Sequence, residues 1–192
     1  MYDATEDTYC YPGTPVLKNK LDLRTQAELD EFETFMSMQR AQEPLRKGRL
    51  TTNYYRAIHR HLFQDVYHWA GRIRTVRMTK GGSPFCFPEN IDRQMHQIFS
   101  ELEAENEFRD LTPEVFAAKA AHFLSELNAM HPFREGNGRT QTSFLLILAD
   151  QAGHPLDLER LDPNAMLHAM IASFHGDETP LVELLLQLMR GR

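Results

Sequence analysis

Residues 113–153 read PEVFAAKAAHFLSELNAMHPFREGNGRTQTSFLLILADQAG, and this stretch decides the fold. Thr112 stands before Pro113, a capping side chain followed by a residue whose fixed φ suits the first turn of a helix. Val115, Phe116, Ala120, Phe123, Leu124 and Leu127 then recur at helical spacing, which predicts a helix over 113–130. The strongly apolar run RTQTSFLLILADQAG ends at Gly153 and predicts a buried central helix. Between the two lies a loop, HPFREGNGR, at residues 131–139.

Outward from there the chain is mostly helical. Leu29, Phe32, Phe35, Met36 and Met38 predict an amphipathic helix over 25–41, with Thr25 as N-cap and Glu28 completing a capping box. Ile58, Leu62, Val66 and Trp69 share a face of a second helix, over 52–69, with Gly71 as its stop. Further helices are expected at 89–105, 162–174 and 179–190. The sole β segment is RIRTVRMTKGGSPFCF, two short strands about Gly81-Gly82, with Pro84 and Pro88 limiting the second arm to edge character. Residues 1–24 form an extended or turned N-terminal arm. The expectation is one all-α domain over 1–192 with a single small β-hairpin at about 73–88 and its loop and central helix at 131–152.

The composition bounds the function. A formal net charge of -6 argues against a general affinity for nucleic acid or anionic membrane. No apolar run approaches the roughly 20 residues that a membrane span needs. The acidic, polar start MYDATEDTYCYPG lacks the basic and apolar regions of a signal peptide. Cys10 and Cys86 fit no metal spacing and suit a reducing compartment, so a cytoplasmic location is expected.

The loop opens a helix. Glycines that tolerate positive φ make successive backbone N–H groups concave, and the helix dipole adds roughly half a positive charge at the same point. Phosphate is the natural occupant of such a nest at Gly136, Asn137 and Gly138. Arg139 adds a charged fork, and Asn137 either donates to phosphate or holds the loop. Glu135 beside phosphates calls for a cation, and Mg²⁺ takes carboxylate and phosphate oxygens together. His131, neutral near its ordinary pKa of about 6.5, can take a proton from a hydroxyl. A GNG by itself is ordinarily a turn, a histidine after a helix is ordinarily a cap, and Phe133 reads as an anchor. The ordered set reads as transfer of a phosphate-bearing group from a nucleotide to a hydroxyl.

HPFREGNGR resembles the Fic family motif HxFx(D/E)GNGRxxR. YPGTPVLKNKL, HLFQDVYHWAGRIR, KGGSPF and GDETPLVELL are also similar to segments of bacterial Fic proteins, so the likeness covers nearly the whole chain. The short form is most similar to Fic toxins of toxin–antitoxin pairs. The resemblance implies AMP transfer from ATP to a Ser, Thr or Tyr hydroxyl of a target protein. It makes His131 the base, Glu135 the Mg²⁺ ligand, Gly136, Asn137 and Gly138 the anion hole, and Arg139 a phosphate ligand. Lys80, Gly81, Gly82, Ser83, Pro84 and Phe85 correspond to the family's flap, which aligns a target segment by strand addition. The implied targets are ATPase subunits of bacterial type II topoisomerases. The family's inhibitory helix, (S/T)xxxE(G/N), does not occur in the sequence, and the resemblance assigns it to a separate small antitoxin.

The last motif arginine is Thr142 here. Arg139 and Thr142, three apart on a helix, are expected to face one ligand. The resemblance gives that arginine the γ-phosphate, and its loss removes a contact worth about 1.5–3 kcal/mol, or roughly 10- to 150-fold. Three explanations stand: a slow AMP transferase, a different nucleotide donor, or a nucleotide-binding pseudoenzyme. A kinase-like activity, as in the Doc branch, needs a lysine at the second motif glycine, and Gly138 argues against it. A metal site from His61, Asp65 and His68, which share a helix face, is a further alternative.

Overall fold

The computed structural model describes residues 3–4, 7–45 and 48–189. Residues 1–2 and 5–6 of the N-terminal arm, and residues 190–192, which include the expected last residue of the final helix, lie outside them.

Seven helices are described: α1 (Gln26–Gln42), α2 (Thr52–Phe63), α3 (Pro88–Ala104), α4 (Pro113–Met130), α5 (Asn137–Ala152), α6 (Pro163–Phe174) and α7 (Thr179–Met189). α5 packs on both α2 and α4, and α4, α6 and α7 pack on one another. Phe144, Leu145, Leu148 and Ala149 of α5 are buried, so the apolar run is the central helix its composition predicts. The Tyr55, Phe99, Phe123 and Phe144 rings meet around it in edge and stacked contacts. Thr112 caps α4 by accepting from Val115 N–H, and Gly153 ends α5 at φ 84°.

Two helices differ from expectation. α1 is capped at Thr25 as predicted, but its core face carries Leu29, Glu33 and Ser37. Phe35 and Met38 are instead 59 % and 60 % exposed. The apolar spacing marked the face in part: Leu29 is buried and Phe32 and Met36 pack against the core, while Glu33 and Ser37, which have polar partners inside, complete the buried stripe. α2 stops at Phe63, six residues short of Trp69. The N–H groups of Val66 and Tyr67 both bond to the Phe63 carbonyl, at 3.1 and 3.0 Å. This tight turn keeps Val66 and Tyr67 buried after the helix has ended.

The hairpin is shorter than its sequence suggests and gains a strand. β1 (Asp3–Ala4), β2 (Met78–Lys80) and β3 (Ser83–Pro84) form one antiparallel sheet in the order β1-β2-β3. Lys80 faces Ser83 across Gly81 and Gly82, whose φ values of 57° and 80° suit a tight primed turn. Ile73 to Arg77 do not join it, because the Arg74 N–H bonds to the Pro132 carbonyl at 2.9 Å instead of to a strand.

Candidate active site

α4 ends at His131, whose backbone is left-handed (φ 46°, ψ 60°), a conformation usually left to glycine or asparagine. Its N–H bonds to the Leu127 carbonyl at 3.0 Å. The imidazole lines a cavity of about 450 Å³ and stacks on Phe85 of the hairpin, with centroids 4.0 Å apart and planes 17° apart. Burial, and then the charge of Arg74, push its pKa down to about 3, so it is a neutral imidazole at physiological pH.

Arg74 fixes this arrangement. Its guanidinium is buried and donates to the carbonyls of His131, Val76, Cys86 and Met130 at 2.8, 2.6, 2.6 and 3.2 Å. One side chain thus ties the root of the hairpin to the end of α4. Burial lowers its pKa to about 10, which leaves it charged at neutral pH.

The loop that follows is closed by its own residues. Asn137 accepts from Phe133 N–H at 2.9 Å and donates to the Phe133 carbonyl at 2.8 Å. Both ends of the amide hold the loop, so of its two sequence-based roles the side chain takes this one. Phe133 is fully buried and stacks on His59 at 3.8 Å. Arg134 is anchored by Asp7 of the N-terminal arm. His59 accepts from Gly71 N–H at Nδ1 (2.8 Å), so its proton sits on Nε2 and is donated to the Glu135 carbonyl (3.0 Å).

α5 begins without a side-chain cap at Gly136, φ 79°. Its first closed bond is Thr140 N–H to the Gly136 carbonyl, 3.1 Å, which leaves the N–H groups of Asn137, Gly138 and Arg139 for an anion. The Glu135 carboxylate accepts from Gly136 N–H through Oε1 at 2.8 Å. Burial, and next the nearby Glu33 carboxylate, raise its pKa. The Glu135 carboxylate, beside the N–H groups that open α5, is an oxygen donor that suits a divalent cation shared with phosphate.

The side chains of Arg139 and Thr142 turn to different neighbours. Thr142 lines the cavity with Gly138 and Gln141, whereas Arg139 turns to α1. There it donates to Ser37 Oγ at 2.9 Å and to the Glu33 carboxylate, above the Phe63 ring. Glu33 also accepts from the Tyr67 hydroxyl. Replacing Glu33 by Ala strands that hydroxyl and frees Arg139. With Arg139 38 % exposed, the expected loss is about 1–2 kcal/mol, read as a lower Tm in thermal unfolding.

Lys80, Gly81, Ser83 and Phe85 of the hairpin line the cavity, while Gly82 and Pro84 do not. The opposite wall is α6, with Met166, Met170 and Phe174 among its apolar side chains. His61, Asp65 and His68 are not brought together as ligands. Asp65 is paired with Arg40, His61 Nε2 meets the Arg40 carbonyl, and α2 ends before either Asp65 or His68.

Two buried histidines set an acid limit. The pKa of both His59 and His131 is held near 3, against 6.5 when unfolded, chiefly by burial. Their depressed values mean that the unfolded chain binds protons first as pH falls through 6.5 toward 3, so stability falls across that window. Each contributes about 1.4 kcal/mol per pH unit, so moving from pH 7.5 to 5.5 is expected to cost roughly 2–3 kcal/mol in urea unfolding. Equal stability at both pH values would show that these rings are not shielded.

Residues 49–149 match the family model described as Fic/DOC family. The chain belongs to the Fic/DOC family. A probable protein adenylyltransferase of Sinorhizobium fredii is 52 % identical over 181 residues, covering 94 % of each chain. The protein adenylyltransferase VbhT of Bartonella schoenbuchensis is 37 % identical over 179 residues, covering 92 % of this chain and 37 % of that one. Among solved structures, the BepC protein of Bartonella tribocorum with bound AMPPNP superposes with TM-score 0.82 at 28 % identity, covering 94 % of this chain and 95 % of that one. A Fic domain of Bartonella quintana with bound ADP gives TM-score 0.83 at 30 % identity, over 94 % and 93 % of the two chains.

In this Fic/DOC chain, motif reasoning missed the supporting residues. Arg74, His59, Glu33, Ser37 and Asp7 lie outside the motif and act across long sequence separations. One signal was available: Glu33 and Ser37 sit four and eight residues after Leu29, on the stripe that α1 buries.

Proposed function

We propose that this chain is a protein adenylyltransferase that moves AMP from ATP to a hydroxyl of a target protein. The observation that carries the reading is convergence: a neutral His131, the open N-terminus of α5 and the hairpin Lys80–Phe85 meet at one cavity. The relatives' names and the nucleotides bound in neighbouring structures support it.

In this mechanism the N–H groups of Asn137, Gly138 and Arg139 hold phosphate oxygens. The cavity, about 450 Å³ with one apolar wall, takes the nucleoside. The target hydroxyl approaches past the hairpin, whose β3 edge aligns its backbone. His131 removes the hydroxyl proton as the oxygen bonds to the α-phosphorus. The bond from that phosphorus to the bridging oxygen breaks, and pyrophosphate leaves. Glu135 would hold Mg²⁺, which when bound neutralises phosphate charge. Arg139 reaches phosphate by exchanging its Glu33 contact.

Thr142 places no cation on the cavity wall where the family pattern has arginine. The reading is therefore a slow transferase. Its finer parts are also proposals: a bacterial topoisomerase ATPase subunit as target, and restraint by a separate antitoxin helix carrying (S/T)xxxE(G/N). The test is label transfer from α-³²P-ATP with Mg²⁺ to lysate proteins and to purified topoisomerase ATPase subunits. Thr142→Arg is expected to raise labelling roughly 10- to 150-fold. No label from the protein or from Thr142→Arg would sink the ATP-dependent reading.

The alternative, a nucleotide-binding pseudoenzyme, is favoured by Thr142 alone. It predicts ATP binding without label in any variant.

A further inference from the structure

His59 of α2 is a fully buried histidine that the proposed chemistry leaves unused, and it reaches a loop 76 residues away. Its ring lies against Phe133, with centroids 3.8 Å apart, and against Phe63, at 4.8 Å. A phenylalanine would serve such packing alone. Both ring nitrogens are nevertheless engaged by backbone groups. Nδ1 accepts from Gly71 N–H at 2.8 Å, and Nε2–H donates to the Glu135 carbonyl at 3.0 Å. That carbonyl belongs to the peptide unit that joins Glu135 to Gly136. The unit is trans and planar, so its C=O and its N–H point to opposite sides. At the far side, Gly136 N–H donates to Oε1 of the Glu135 carboxylate at 2.8 Å. His59 therefore grips one end of a rigid plate whose other end holds the acid. Gly136, at φ 79°, has no side chain that would resist turning of this plate.

We propose that His59 is a positioning residue for the metal ligand: through the Glu135–Gly136 peptide it holds the Glu135 carboxylate in the direction that Mg²⁺ requires. This rests on the adenylyltransferase reading above, in which Glu135 is the Mg²⁺ ligand. Groups that orient a ligand without touching the metal ordinarily govern how tightly the metal is held. His59 suits that task because its two bonds tie the Glu135 peptide to a second fixed point, the turn at Gly71. The stacked rings on either side keep the imidazole from turning, so both bonds keep their directions.

The test measures ATP binding by calorimetry over a series of Mg²⁺ concentrations. Two variants separate the two bonds. The amide of asparagine ends level with Nδ1 of histidine, and that of glutamine level with Nε2. His59→Asn therefore keeps the Gly71 contact and gives up the Glu135 one, and His59→Gln does the reverse. Each loses one buried hydrogen bond and part of the ring packing, so both are expected to lower Tm to a similar degree. Only His59→Asn is expected to raise the half-saturating Mg²⁺ concentration, by about 10- to 100-fold, the usual effect of removing a group that orients a metal ligand. ATP binding in EDTA is expected to stay within about twofold of the parent in both, because backbone N–H groups hold the phosphates. An unchanged Mg²⁺ dependence in His59→Asn, or an equal shift in His59→Gln, would mean that the ring only packs. Either result overturns the inference and leaves the transferase reading intact. The unaltered protein gives a check that needs no variant. Adding Mg²⁺ to the ATP complex is expected to move the ¹⁵N signal of His59 Nε2 and to leave that of the exposed His96 in place. A His59 signal that does not move also overturns the inference. Failure of the unaltered protein to bind ATP at any Mg²⁺ concentration removes both.

Discussion

His131→Ala is expected to lower AMP transfer by about 10²- to 10⁴-fold, the usual contribution of a placed general base. The imidazole meets two conditions for that role. It lines the cavity, and it is neutral at physiological pH. Nucleotide binding should survive, because in the proposed mechanism the phosphate contacts come from backbone N–H groups of the next helix. A loss of ATP affinity matching the loss of rate would show that His131 supports the site instead of performing the chemistry. The burial of this ring gives a second readout. A histidine base with an ordinary pKa produces an acid limb near pH 6.5 in kcat/KM. Here no such limb should appear between pH 5.5 and 8, within which the fold retains most of its stability. A limb at 6.5 would mean that the flap opens and exposes the ring in the free enzyme.

Gly136→Ala is expected to damage the fold itself. A Cβ on Gly136 would lie 2.3 and 2.4 Å from two atoms of the Phe63 ring, and the residue sits at φ 79°. The left-handed backbone costs about 1–2 kcal/mol for a residue with a side chain. Forcing a methyl group into a packed ring adds about 1–3 kcal/mol. Together they predict a loss of roughly 2–5 kcal/mol, or a fall in Tm of about 5–20 °C. Gly138→Ala is the control. It has an ordinary φ, and its Cβ would meet nothing within 4 Å. Its Tm should match or slightly exceed that of the parent. Equal effects at the two glycines would mean that Phe63 does not pack against the loop as described.

These two residues illustrate what the sequence reveals and what it hides. α4 and α5 could be read almost to the residue, because caps, periodicity and stops are local signals. The motif residues were legible for the same reason, being packed into one loop. What could not be read were partners joined only by folding. Glu33 stands 106 residues from Arg139, and Arg74 stands 57 from His131. Periodicity misread α1 in part, because Phe35 and Met38 looked like core, whereas the interior required the polar pair Glu33 and Ser37. It overran α2 because Val66 and Tyr67 are buried by a turn that imitates the helical stripe. Thr142 was legible as a departure. That the Arg139 side chain turns to α1 was not, since its direction is set by Glu33 and Ser37.

Arg74 gives the molecule a division of labour. Its four carbonyl contacts clamp the base of the hairpin and the end of α4 into one frame. The tip, from Thr79 to Pro84, lies beyond the clamp. Under the proposed docking role of the hairpin, changes of sequence at the tip would alter which protein is received without disturbing His131. A new client would then be acquired with the proposed chemistry unchanged.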